Sequence, residues 1–219
     1  MSISTTRTGG ARVSNPVKYY IEYRAGKGEF RYWNGTSEVI LNELEFVVLD
    51  TFVGVHGYSK KYESNIYSNE IVSTTKEPFT VKVAKSGDVL VEGLWEDIKY
   101  KVKAFGGKFA NIIYALVNID GAFELCAIRF TGVSCNNWIS FSDENGGRYG
   151  MFDVLINAER GEKDSSGQSE FYNIVFSTTP MPKEIKDEAM DVDKNLLQPY
   201  ILARSVVRTS AVEVEAVEV

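Results

Sequence analysis

The chain has 219 residues, 44% hydrophobic and 25% charged, with a net charge of −6. That length suits one domain with appendages, and two cysteines exclude a disulfide-stapled miniprotein. The 12 Phe, 12 Tyr and 3 Trp also argue against wholesale disorder.

Residues 1–16, rich in Ser, Thr, Gly and Arg, read as a flexible N-terminal arm that lacks the apolar core of a signal peptide. No apolar run reaches the roughly 20 residues that span a bilayer, so a soluble, cytoplasmic protein without a membrane partner is expected. From Val17 the texture becomes β-like, and Ala25-Gly26-Lys27-Gly28 marks a hairpin. Asn34-Gly35-Thr36 matches a glycosylation sequon but reads better as a turn. Leu44 to Tyr58 predicts a long strand, with Gly54 and Gly57 as bulge or bend positions.

Shorter strands are expected at Ile66 to Val72, Phe79 to Val83 and Val89 to Val91. The period then switches: Trp95, Ile98, Val102 and Phe105 recur at helical spacing, and Gly106-Gly107 supplies the stop. Trp95 is therefore assigned to the core. Asp120-Gly121 predicts a tight hairpin between two further strands. For Val133 to Phe141 periodicity decides neither helix nor strand. Met151 to Asn157 and Glu170 to Thr178 supply two more strands, separated by a polar segment, and Ile185, Ala189, Val192 and Leu196 suit a helix that should end before Pro199.

The divisions expected are the arm over 1–16, a domain over 17–180, a C-terminal helix over 181–204 and a flexible acidic tail over 205–219. The fold class is mainly β: an OB-like antiparallel β-barrel with one central helix, an added N-terminal hairpin and a C-terminal helix.

Little supports catalysis. His56 is the only histidine, no CxxC or HExxH motif exists, and no phosphate-binding glycine loop precedes a helix. Paired carboxylates such as Glu96-Asp97 suit a solvated helix face. A non-enzymatic protein without cofactor or metal is expected.

Binding to single-stranded nucleic acid needs aromatic faces for the bases and cations for the phosphates. Three segments interleave these: Lys18 to Trp33, Tyr58 to Tyr62 leading to Tyr67, and Lys99 to Lys103 followed by Lys108 and Tyr114. Phosphate contacts are expected from Lys60, Lys61, Lys99, Lys101, Lys103 and Lys108. Stacking is expected from Tyr58, Tyr62, Tyr67 and some of Trp33, Tyr114 and Trp138. Tyrosine-rich strands and lysine-studded helices also have ordinary packing explanations. The net charge does not oppose the binding reading, because up to Trp138 the chain carries 16 basic and 15 acidic residues, against 8 and 15 beyond it.

The runs Asn65-Ile66-Tyr67-Ser68-Asn69-Glu70-Ile71, Glu77-Pro78-Phe79-Thr80-Val81, Gly93-Leu94-Trp95-Glu96-Asp97-Ile98-Lys99 and Gly106-Gly107-Lys108-Phe109-Ala110, then Phe130-Thr131-Gly132 with Trp138 and Phe141, resemble single-stranded DNA-binding proteins of tailed bacteriophages. The resemblance covers about Leu44 to Pro180. It implies an OB-fold that coats single-stranded DNA in phage replication, recombination or repair, in the host cytoplasm. It further implies an acidic tail that contacts replication or recombination proteins or regulates binding. Many such tails end in acids and an aromatic, whereas this one ends Glu218-Val219, and the hairpin from Val17 to Trp33 lies outside the matched region. The alternative is a phage structural or assembly β-sandwich whose aromatics are core.

Overall fold

The structure, a computed structural model, describes residues 13–167 and 169–204. The expected arm lies outside them except for residues 13–16, and the acidic tail lies outside them altogether. Val17–Pro182 form one compact unit, and the residues after it belong to a second.

The first unit contains β1 (Tyr19–Arg24), β2 (Glu29–Trp33), β3 (Glu38–Leu41), β4 (Glu43–Ser59), β5 (Ser64–Ser68), β6 (Phe79–Val83), β7 (Val89–Gly93), α1 (Trp95–Ala104), β8 (Gly107–Ile119), β9 (Ala122–Thr131), α2 (Val133–Glu144), the single turn α3 (Gly147–Gly150), β10 (Val154–Ser166) and β11 (Ser169–Pro180). The segment that periodicity left undecided is thus helical, as α2. Turn chemistry accounts for the connections. Asp120 (φ 54°) and Gly121 (φ 87°) both take the left-handed backbone that a two-residue hairpin demands. The Asn34 carboxamide oxygen accepts from the amides of Thr36 and Ser37, turning β2 into β3.

The strands form one sheet in the order β3-β2-β1-β9-β8-β4-β5-β6-β7, with β10 joined to β4 and β11 to β10. The unit is mainly β, but the expected closed antiparallel barrel is not what forms. β1 runs parallel to β9, and β3 and β7 end the path unpaired with each other. The sheet branches because β4, 17 residues long, gives one edge to β8 along Phe46–Gly57 and divides the other between β10 at its start and β5 at its end. A backbone hydrogen bond from Tyr172 N–H to Ala25 C=O links β11 to the β1–β2 turn without closing the sheet.

The register of β4 slips between Val48 and Asp50. Even-numbered residues Leu44, Phe46 and Val48 face inward before this bulge, and odd-numbered Val53 and Val55 after it. Gly54 and Gly57, expected as bulge or bend positions, stay in register opposite Ala110 and Gly107, with no bulge at either. They are glycines because of close packing: a Cβ at Gly54 would lie 2.9 Å from the Ile112 side chain, and one at Gly57 would lie inside the Gly106 carbonyl.

Both apolar clusters lie on one side of this sheet. Ile98 and Val102 of α1 pack with Val55, Ile66, Phe79 and Val81, while Cys135 and Trp138 of α2 pack with Ile21, Phe46, Ile128 and Phe130. Beyond Glu159, β10 leaves β4, yet the β10–β11 ladder continues through the polar segment to Ser166–Ser169. That two-stranded arm has no apolar alternation to betray it, which is why the sequence shows only a polar segment there.

In the second unit α4 (Lys183–Val192) runs into a π-turn (Asp193–Leu197), and helix resumes over residues 198–204. The helix does not stop before Pro199. Gln198 N–H donates to Asp193 C=O, five residues back, and such a widened turn accommodates the ring and the missing donor. No helix among the described residues is long and apolar enough to cross a membrane.

Trp138, 3% exposed and stacked on Phe130 at 5.7 Å, anchors α2. Trp138→Ala is expected to lower unfolding free energy by about 3–5 kcal/mol in a denaturant titration with an unchanged m-value.

Candidate nucleic-acid interface

The sheet face opposite the two helices holds a cleft of about 790 Å³ whose lining includes Glu22, Arg31, His56, Tyr58, Tyr67, Lys108 and Arg129. Register explains how residues so far apart in sequence meet. Lys108, His56 and Tyr67 are successive cross-strand partners on β8, β4 and β5, and Arg129, Glu22 and Arg31 are partners on β9, β1 and β2. Paired residues share a face, so the sheet presents two polar rows on one face, offset along β8 because Arg129 lies opposite Ile112 and not Lys108.

One end of the cleft depends on a backbone contact. A Cβ on Gly106 (φ 87°) would lie 2.3 Å from the Tyr58 carbonyl, so the α1–β8 turn packs directly against the end of β4. This brings the start of β8, which carries Lys108, to the strand end carrying Tyr58. Tyr58 and Tyr67 are 55% and 40% exposed, leaving ring surface available for stacking. Lys60 and Lys61 lie in the β4–β5 turn and are exposed, with the Lys61 ammonium over the Tyr62 ring. Among the described residues no ion pair holds Lys60, Lys61, Lys103 or Lys108.

The cleft floor is differently charged. Arg129 Nη1 donates to Glu22 Oε1 at 2.6 Å, Arg31 Nη2 approaches Glu22 Oε2 at 3.3 Å, and Arg31 Nη1 also pairs with Glu38. Burial lowers the Arg129 guanidinium below its usual pKa, with Glu22 opposing the shift. His56 is held down to about 3, first by burial and then by the Arg129 charge, so it is neutral at physiological pH.

The expected site residues therefore separate. Tyr58, Tyr67 and Lys108 line the cleft, and Lys60 and Lys61 lie in the turn that follows Tyr58. Tyr62 is half-buried, its ring 6.3 Å from Phe105. Lys99, Lys101 and Lys103 are on α1, which packs on the other side of the sheet, and Lys99 pairs with Glu96 there. Trp33 is 62% exposed on β2, two residues beyond Arg31.

Two stacking assignments fail on burial. Trp138 is enclosed by Phe46, Phe130, Phe141 and Phe176. Tyr114 is 1% exposed, edge-on to Phe52, and its hydroxyl donates to Glu70 at 2.8 Å. Neither offers a ring face to a base.

Sequence reasoning passed over Glu22 and Arg129, and weighed His56 only for catalysis. Their signal was a charged or imidazole side chain at alternate positions in otherwise apolar strands, as Arg129 is in Ala127-Ile128-Arg129-Phe130. Among the described residues no group of three or more His, Cys, Asp and Glu could hold a metal ion. The Cys126 thiol is pushed up to about 12 by burial, which removes its nucleophilic form at neutral pH. No protein-family model matches the sequence, and no curated protein or solved structure is significantly similar to the chain.

The unfolded chain protonates His56 near 6.5 and the folded one only near 3, so between these values the unfolded state holds more protons. Its contribution to stability is present above pH 6.5 and is lost as pH falls toward 3. His56→Gln is expected to flatten that acid limb by about 2–4 kcal/mol relative to wild type, measured as urea stability at successive pH values.

Proposed function

We propose that this protein binds single-stranded DNA with little sequence preference, through the cleft on the sheet face opposite α1 and α2. The observation that carries the reading is the juxtaposition of exposed Tyr58 and Tyr67 with Lys108 and the Lys60-Lys61 turn. Rings on which bases stack lie there beside cations that have no carboxylate partner among the described residues. The open sheet takes the part that a groove plays in an OB-like barrel, and the cleft volume falls within the usual range for sites that enclose small organic groups such as bases.

The resemblance to phage single-stranded DNA-binding proteins gives the biological setting: protection of single strands in the host cytoplasm during replication, recombination or repair. The glutamates of residues 205–219 would then compete with DNA for the lysines or dock on replication or recombination proteins. No step in this role requires a catalytic group or cofactor. The structural or assembly β-sandwich is the weaker reading, because a purely packing role leaves Tyr58 and Tyr67 exposed beside lysines for no reason.

A titration of labelled oligo(dT), followed by anisotropy across a salt series, tests the proposal. Binding is expected to weaken linearly in log–log form as salt rises. Tyr67→Ala and Tyr58→Ala should each cost about 1–3 kcal/mol, roughly 5- to 150-fold in affinity. Lys108→Ala should make the salt slope shallower by about 0.7. No anisotropy change at micromolar protein in low salt would remove the reading.

A further inference from the structure

The cleft contains two kinds of cation. At its rim Lys108, with Lys60 and Lys61 in the turn after Tyr58, is exposed and has no carboxylate partner among the described residues. In its floor Arg129 and Arg31 are only 20% and 26% exposed, and both are clamped by the two oxygens of one carboxylate, Glu22. Arg31 also shares Glu38 with Arg24. A compact ammonium in water and a carboxylate-bound guanidinium in a cleft suit different partners.

We infer that the Arg129–Glu22–Arg31 row contacts the edges of nucleobases while the phosphates run along the lysine rim, so that the strand is held with its bases inward; this rests on the single-stranded DNA reading above.

Charge supplies the first argument. A phosphate that approached Arg129 would meet the Glu22 carboxylate 2.6 Å from the same guanidinium, and like charges repel strongly in a partly dried cleft. It would also lose water that the rim allows it to keep. A neutral base edge meets no such repulsion and gives up its water at a smaller cost than an ion does.

Hydrogen-bonding capacity supplies the second. A guanidinium has five N–H donors, and the pairs with Glu22 and Glu38 use only some of them. The remaining donors and the carboxylate's remaining lone pairs form one surface of mixed polarity, extended by the side chains of Asn65 and Thr131 in the same lining. Every Watson–Crick edge carries both donors and acceptors, so such a surface accepts any base. Phosphate oxygens only accept. Glu22 is in this account the residue that sets the direction of the strand's faces, because it offsets one of the two guanidinium charges that would draw the backbone to the floor.

The test uses the full chain and two labelled probes of equal length, oligo(dT) and an abasic oligonucleotide with the same backbone. Arg129→Gln is expected to weaken oligo(dT) binding about tenfold while leaving both its salt slope and the abasic affinity unchanged. Lys108→Ala should make the slope shallower by about 0.7 on both probes. Glu22→Gln should act in the opposite sense, freeing guanidinium charge so that abasic binding tightens and the salt slope steepens. A slope for Arg129→Gln that falls as it does for Lys108→Ala, or a parallel loss on the abasic probe, would make Arg129 a phosphate contact and overturn the inference. So would unchanged affinity for both probes. If circular dichroism shows that Arg129→Gln does not fold, Glu22→Gln decides alone, and unchanged slope and abasic affinity would overturn the inference. Wild-type protein that binds neither probe would remove the DNA-binding function itself. Wild type that binds oligo(dT) but fails the variant tests would remove only the arrangement of the floor.

Discussion

The single irregularity at Leu49, where β4 slips one residue against β8, governs what each side of the molecule presents. A strand of 17 residues with unbroken alternation would keep one parity along its whole length. Leu44, Phe46 and Val48 would then force Phe52, Gly54 and His56 inward, and Val53 and Val55 out to water. The extra residue reverses the parity once, so both halves bury apolar side chains against the helices. The same reversal delivers His56 and Tyr58 to the opposite face, where the cleft forms. Because β8, β10 and β5 all pair with this strand, its register carries through to β9, β1 and β2, and hence to Arg129, Glu22 and Arg31.

The two faces of the sheet consequently do different work with similar residue types. On the helix side aromatics are packed: Phe46, Phe130, Trp138 and Phe176 contribute stability through burial, and rings meeting at 5.5 to 6.2 Å add to it. On the cleft side Tyr58 and Tyr67 keep much of their surface in water, an arrangement that contributes little to folding. Charge is divided in the same way by depth. Paired guanidiniums occupy the floor, where an unpaired charge would be costly, and ammoniums without a carboxylate partner among the described residues occupy the rim, where water screens them.

Much of the fold was legible because its signals are local. Helix α1 follows from the spacing of Trp95, Ile98 and Val102, and the β8–β9 hairpin from Asp120-Gly121. The bulge was not legible, because Leu49 differs in no way from its apolar neighbours, and the glycines that drew attention to themselves are explained by packing instead. Closure of the sheet depends on long-range pairing, and the parallel contact of β1 with β9 joins residues about a hundred positions apart. The site was readable in part for the same reason. Tyr58, Lys60 and Lys61 are close in sequence, and Tyr67 and Lys108 are brought to them by β5 and β8. Local patterning also drew in Lys99 and Lys101, which belong to a helix on the other side, and Trp138, which alternation could not distinguish from a surface ring.

The central claim, that the face bearing the cleft and not the helix face receives the strand, is tested most directly by oxidative footprinting of the protein with and without saturating oligo(dT). Tyr58 and Tyr67 should become protected, whereas Tyr100, 77% exposed on α1, should react equally in both states. Protection of Tyr100 with Tyr58 and Tyr67 unchanged would contradict the account.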